Sequence, residues 1–250
     1  DVAPSRGLGD VYKRQEYALP ETGSQPKRSG GFSGGTTACG IRVSVEKRIF
    51  AVRPLTCGAR RTMKESWKPG TMIYPLPAVM VSCGSEPSEY NIITVAWVGT
   101  ICTNPPMCYI SVRPERHSYP ILKKNMEFVI NLTTRSLAYA TDWCGVNSGK
   151  DHTKFEEMKL TPGKASVVNA PIIEECPLCI ECRVKEVMAL GSHDMFIADV
   201  VNVQADDKYL DPETGAFDMQ RADLLAYSHG KYYGLGDFVG KFGWSVRKKK

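Results

Sequence analysis

Six short runs rich in β-branched and aromatic residues, each bounded by Gly, Pro or Asn, constrain this 250-residue chain most: residues 78–83, 91–103, 107–113, 128–132, 182–190 and 195–203. Runs of that length and composition predict strands. Between them lie three stretches with helical spacing, 118–124, 133–143 and 151–158, and around the second Leu137, Ala140 and Cys144 are stepped by three and four. These predict short helices covering the ends of a sheet. The strands are not regularly separated by helices of about 10–15 residues, as a doubly wound parallel sheet requires. The pattern therefore predicts a mainly β fold, a mostly antiparallel barrel with short helical insertions.

The net charge of +5, from 32 Lys plus Arg against 27 Asp plus Glu, suggests an anionic partner until it is divided. Residues 1–62 hold 11 basic and 5 acidic side chains, whereas residues 63–250 hold 21 and 22. With Arg247, Lys248, Lys249 and Lys250 set apart as a tail, residues 63–246 carry 17 basic and 22 acidic groups. A mildly acidic body matches phosphate backbones poorly, so no nucleic-acid partner is expected. Residues 1–62 also lack Met, although nine follow from Met63 onward, and hold 9 of the 22 Gly. Their Gly7-Leu8-Gly9-Asp10-Val11-Tyr12-Lys13-Arg14-Gln15 resembles translated adapter sequence. Residues 1–62 are therefore expected to be a non-native or disordered leader, and residues 63–250 a single domain. An Arg-rich transit peptide is the rival reading, but the Gly-rich stretch 30–40 forms no amphipathic face. No apolar run reaches the roughly 18 residues that cross a bilayer, and no membrane association is expected. Seven body cysteines, Cys83, Cys102, Cys108, Cys144, Cys176, Cys179 and Cys182, are odd in number and scattered through apolar runs. That usage suits reduced thiols and a cytoplasmic location.

Alternation along 91–103 puts Asn91, Ile93, Val95 and Trp97 on one face and Ile92, Thr94, Ala96 and Val98 on the other. Asn91 and Trp97 would then flank one space and suit a flat heteroaromatic ligand; otherwise they are a strand-start amide and a core indole. Farther on, Ser118 is a candidate N-cap with Pro120 in the first turn. Free N–H groups there, with the hydroxyl and Arg113 or Arg116, would make a phosphate site; the alternative is an ordinary capped helix with solvated arginines.

Two nucleotide motifs fail. Gly234-Leu235-Gly236-Asp237-Phe238-Val239-Gly240 has the wrong glycine spacing for a dinucleotide fingerprint. Gly145-Val146-Asn147-Ser148-Gly149-Lys150-Asp151 has three residues between its glycines where a P-loop has four, and Asp where magnesium needs Ser or Thr. Any phosphate then falls to the Arg and Ser segment, with Lys150 or Lys154. Cys176, Cys179 and Cys182 have the spacing of metal ligands, with His193 or Cys144 as a fourth. Within a strand, however, Cys179 would point away from the other two, so buried thiols are the preferred reading and no metal is expected. His193, in Gly191-Ser192-His193-Asp194, is either an exposed turn residue or an imidazole placed for hydrogen bonding or proton transfer.

Taken in order, Pro75–Gly84, Asn91–Gly99, Pro105–Pro114 and Phe128–Leu132, then Ser148–Phe155, Glu181–Val184, Gly191–Asp194 and Tyr233–Gly236, resemble the flavin reductase-like family. The similarity covers about residues 64–248. It implies an FMN-binding split β-barrel, a homodimer with FMN near the subunit interface, and an oxidoreductase that moves electrons between a small-molecule or protein donor and an acceptor. NADH or NADPH is the candidate hydride source; a carrier without NAD(P)H activity is the alternative. Carried over by residue, Asn91, Thr94 and Trp97 resemble the flavin-contacting strand, and Arg116 and Ser118 the phosphate-binding turn. Lys154, His193 and, more loosely, Tyr227 resemble further flavin contacts, with His193 the candidate catalytic residue. Thr153 stands where the family has Asp before the Lys-Phe pair.

Overall fold

The computed structural model describes residues 64–246, and the leader reading of residues 1–62 lies outside them. From Leu76 the chain runs β1 (Leu76–Pro77), β2 (Val79–Cys83), β3 (Asn91–Val95), β4 (Val98–Cys102), β5 (Met107–Val112), α1 (Ser118–Asn125), β6 (Glu127–Leu132), α2 (Ala138–Val146) and α3 (Lys154–Glu157). It continues through β7 (Pro162–Gly163), β8 (Ile172–Ile173), β9 (Leu178–Ala189), β10 (Asp194–Ala205), β11 (Leu225–Ser228) and β12 (Lys231–Gly234). Seven strands form one antiparallel sheet in the order β3-β2-β6-β9-β10-β5-β4, while β1-β11-β12 make a small second sheet.

Strands β3 and β4 are the two edges of the large sheet, yet only Ala96 and Trp97 separate them. Seven flat strands would hold their edges roughly 29 Å apart. Three Cα steps reach about 11 Å at most. The sheet must therefore curl until its edges meet at the Ala96–Trp97 bend, where the Ser111 N–H donates to the Trp97 carbonyl at 2.8 Å. The result is a split β-barrel. Register irregularities in β9–β10 near Ile197–Ala198 and Val200–Asn202 supply the bending that two 12-residue strands need.

Both sheet faces are buried, which explains why the strands read as nearly continuous apolar runs. Val81, Ile93, Ile110, Phe128, Cys182 and Phe196 fill the barrel. Their alternating neighbours Met80, Ile92, Val129 and Cys179 pack on the other face beneath Cys144 of α2, Phe155 of α3 and the segment carrying Leu160 to Ile173. Trp97 packs against a third cluster containing Ala78, Ala96, Leu225 and Tyr227.

The expected run 91–103 is thus two strands, because pairing changes from β2 to β5 at the bend. The helix predicted over 118–124 forms as Ser118–Asn125, and that over 151–158 shrinks to Lys154–Glu157. Cys176 precedes β9 and packs with Cys179, whereas Cys182 enters the barrel, so the expected common face for Cys176 and Cys182 does not form. Among the described residues no three His, Cys, Asp or Glu side chains are grouped to hold a metal. All seven body cysteines are free thiols, six of them buried. No helix of the described residues is long and apolar enough to cross a membrane.

One charged group is central to the outer face. Glu181 on β9 is fully buried, and its Oε1 accepts from the Ser166 N–H (3.0 Å), Asn202 Nδ2 (2.7 Å) and Gln204 Nε2 (2.9 Å). Its Oε2 accepts from the Val167 and Val168 N–H groups at 2.7 and 3.1 Å. The carboxylate thereby ties the loop before β8 to the sheet.

Candidate functional site

Two small cavities, of about 50 and 30 Å³, share Ile93 and Arg116 as lining residues and form one shallow trough. Its first end carries Trp97, Ser111, Arg113 and His193, and its second Asn91, Ser118, Gly149 and Lys154, with Arg116 between them. Seven of the eight expected site residues therefore line one or the other of these two adjoining cavities. Tyr227 does not: it is 2% exposed on β11, in the cluster against which Trp97 packs.

At the flat end the Trp97 and His193 rings lie nearly parallel, 8° apart with centroids separated by 6.1 Å. Trp97 reaches this position because the bend removes it from the alternation that Asn91, Ile93 and Val95 obey; the expected strand face shared by Asn91 and Trp97 is replaced by two ends of a trough. His193 Nδ1 lies 2.9 Å from the Ser192 hydroxyl. Burial, and secondarily Arg113, lowers its pKa from 6.5, so the imidazole is neutral at pH 7. Arg113 pairs with Glu115 at 2.8 Å through Nη1, while its buried Nε has no hydrogen-bond partner among the described residues. A ligand acceptor at the ring end would satisfy that donor.

The other end is cationic. Ser118 is the first residue of α1, not its N-cap: His117 holds that position, and no side chain caps the helix. The Ser118 hydroxyl instead accepts from Asn91 Nδ2 at 2.7 Å, a bond across 27 residues of sequence. Lys154 opens α3 and is 5% exposed. Its ammonium donates to the Ile92 carbonyl at 2.8 Å and the Cys144 carbonyl at 2.7 Å, which leaves one of three protons for a ligand. Burial pulls its pKa down to about 8, so it is still mostly charged at pH 7. Arg116 is half-buried, and burial followed by the neighbouring Arg113 depresses its pKa too. Lys150, the alternative phosphate lysine, is exposed and lines neither cavity. The Thr94 hydroxyl donates to the Thr141 carbonyl on α2, so this side chain anchors the helix while its residue forms part of the trough wall.

Sequence reasoning missed Gly149. A Cβ there would lie 2.2 Å from Asn91 Oδ1, so this glycine lets the chain pass against the amide that holds Ser118. Its signals were its place in the failed P-loop-like segment and in the family-like run Ser148–Phe155, neither of which pointed to contact with Asn91. The role of Arg113 at the ring end was also not legible, because sequence left it interchangeable with Arg116 as a phosphate ligand.

A flat end with an orphaned donor and a cationic end with a hydroxyl suit a planar heteroaromatic group carrying a phosphate. Comparison with known proteins agrees with that geometry. The family model described as flavin reductase like domain matches residues 71–236. The flavoredoxin of Desulfovibrio vulgaris (Miyazaki F) superposes with a TM-score of 0.69 and 28% identity, covering 74% of this chain and 100% of that one. An FMN-binding protein from Thermus thermophilus with bound 1-cyclohex-2-enone shares the fold, with a TM-score of 0.59 and 23% identity over 73% of this chain and 99% of that one. The FMN reductase (NADH) RutF 2 of Rhizobium rhizogenes is 25% identical over 112 residues, 44% of this chain and 61% of that one.

Proposed function

This chain belongs to the flavin reductase-like domain family, and from that premise we propose that it is an oxidoreductase that binds FMN in the trough and passes electrons from a donor to an acceptor. The observation that carries this reading is the single trough joining the parallel Trp97 and His193 rings to the Ser118, Arg116 and Lys154 end. FMN, when bound, supplies the redox chemistry; the chain supplies binding, orientation and electrostatics. Lys154 and Arg116 neutralise the phosphate, with the Ser118 hydroxyl held in place by Asn91. Trp97 supports the ring system, while Arg113 Nε and the neutral imidazole of His193 are available to its polar edge. Tyr227 acts behind Trp97 as a packing partner.

In this reading the ring lies in the shallow trough with one face open to a donor. NADH or NADPH fits that role as a hydride source. A homodimer, in which a second copy approaches the open trough, is part of the same reading. So are a domain that begins near residue 63 and a cytoplasmic location.

The test is the absorption spectrum of the purified chain before and after anaerobic NADH or NADPH. Flavin absorbance that bleaches rapidly is the expected result. Flavin absorbance that persists identifies a carrier reduced by another protein, and a chain that binds no added FMN overturns the reading. Gly149→Ala should weaken FMN binding by about threefold to tenfold, because the new methyl drives Asn91 away from Ser118 and one buried hydrogen bond is lost. Titration of flavin fluorescence measures it, and unchanged affinity would remove Asn91 and Ser118 from the binding set.

A further inference from the structure

His193 stands at the end of a solvent-facing turn. The turn joins β9 to β10; Met188 to Ser192 are exposed, Gly191 takes a φ of +102°, and the Leu190 N–H donates to the His193 carbonyl at 3.0 Å. Hairpin tips of this kind are where chain mobility concentrates. The bond from Nδ1 to the neighbouring Ser192 hydroxyl ties the imidazole only to its own turn. Yet the ring lies within 8° of the Trp97 plane, and an imidazole meets a ligand in a set geometry only when the backbone beneath it is held.

That hold enters at the next residue. Tyr119, the second residue of α1, donates its phenol to Asp194 Oδ2 across 75 positions of sequence. Asp194 opens β10, and its pairings with Val112 of β5 and Ala189 of β9 are the last of both ladders, where strands fray first. The phenol is itself anchored. Its ring meets buried Phe196 edge-on, with centroids 5.7 Å apart and planes at 78°, and Lys123 Nζ lies 5.5 Å from its centroid. Asp194 and Phe196 are two residues apart on one strand and share a face, so one ring reaches both. The bond to Asp194 raises the phenol's pKa above its ordinary value of 10, which keeps it a donor at neutral pH. Successive residues of α1 thus hold the two ends of the trough: the Ser118 hydroxyl accepts from Asn91 at 2.7 Å, and Tyr119 holds the strand that follows His193. Arg116, whose carbonyl accepts from the Tyr119 N–H at 2.9 Å, lines both cavities.

We propose that Tyr119 is a positioning residue: through Asp194 it fixes His193 opposite Trp97, and it makes the first turn of α1 the strut between the ring end and the phosphate end of the trough. What His193 then addresses, the ring of a bound flavin, rests on the reading of the trough; the contact itself does not.

Tyr119→Phe removes the hydroxyl and keeps the ring against Phe196. In the full chain without FMN, nuclear Overhauser contacts between the His193 imidazole and the Trp97 indole read the placement directly. The chain has four histidines, and His193→Gln assigns the signal. The contacts should be present in the wild type and lost in Tyr119→Phe. They should be retained in Asp194→Asn, whose amide oxygen still accepts from the phenol. With FMN bound, Tyr119→Phe should slow anaerobic bleaching by NADH or NADPH by about threefold to tenfold, with FMN affinity kept within about twofold. In a His193→Gln background the same substitution should have no further effect, because the group it acts through is gone. Imidazole–indole contacts that are absent from the wild type or unchanged in Tyr119→Phe overturn the proposal, and so does a slowing that persists in the His193→Gln background. Failure of FMN to bind overturns the trough reading instead, and the flavin-free contacts still decide the role of Tyr119.

Discussion

Lys154→Met is expected to weaken FMN binding by about ten- to a hundredfold, the range set by losing one charge-assisted hydrogen bond to a phosphate. Two of the three ammonium protons are committed to the Ile92 and Cys144 carbonyls, so the side chain is aimed before the ligand arrives. That preorganisation makes its contribution larger than that of a surface lysine. Methionine has similar length and fills the buried volume, but it leaves both carbonyls without their donor. Thermal melting measured alongside the titration separates lost binding from lost stability. The pH dependence gives an independent readout. The ammonium attracts the phosphate, and burial brings its pKa to about 8, so wild-type affinity should fall as pH rises through that value. Binding of the dianion itself moves the break upward. In Lys154→Met the affinity should be flat over the same window, and a wild-type profile without a break would remove Lys154 from the phosphate site.

Glu181→Gln should lower stability by about 3 kcal/mol, toward the lower end of about 1–3 kcal/mol for each of two buried or partly buried donors left unpaired. Three donors converge on Oε1 and two on Oε2, so an amide nitrogen at either position meets at least two N–H groups with a donor of its own. For a domain of this size the melting temperature should fall by roughly 6–12 °C. Burial alone would raise the carboxyl pKa; bonds from Asn202, Ser166, Gln204 and Val167 outweigh it and hold the value at about 2 instead of 4.5. The folded value lies below the unfolded one. The stabilisation is therefore complete above pH 4.5 and is lost as pH falls toward 2, and melting curves across that interval should converge for wild type and variant. Parallel curves would show that the carboxylate is not held ionised by the loop.

Much of the barrel was legible in local pattern, because strands buried on both faces leave long apolar runs that few other structures produce. Strands β2, β5, β6 and β10 lie within a residue or two of their expected positions. The short strands β1, β7, β8, β11 and β12 were not anticipated: two to four residues cannot establish a period, and β1 is defined only by a partner about 150 residues away, Leu76 facing Tyr227. For the site, residue type was informative and direction was not. Ser118 was singled out as a helix cap, but its hydroxyl turns to Asn91 because β3 lies beside the start of α1. Cys176 was placed on a strand that begins two residues later.

By itself, then, the sequence determined that the domain is an antiparallel barrel with short helices, and its ordered segments identified the family. Periodicity and capping signals act over a few residues, and those features are local. Only the tertiary structure decided that Ala96–Trp97 closes the barrel, that Gly149 leaves room for the Asn91 amide, and that Arg113 lines the cavity of Trp97 and His193 while Lys154 lines that of Asn91 and Ser118. The Lys154 ammonium meets the Ile92 carbonyl across 62 positions of sequence. No local pattern encodes such a distance; it follows from the curl of the sheet, which brings its two edges and the starts of α1 and α3 to one side of the barrel.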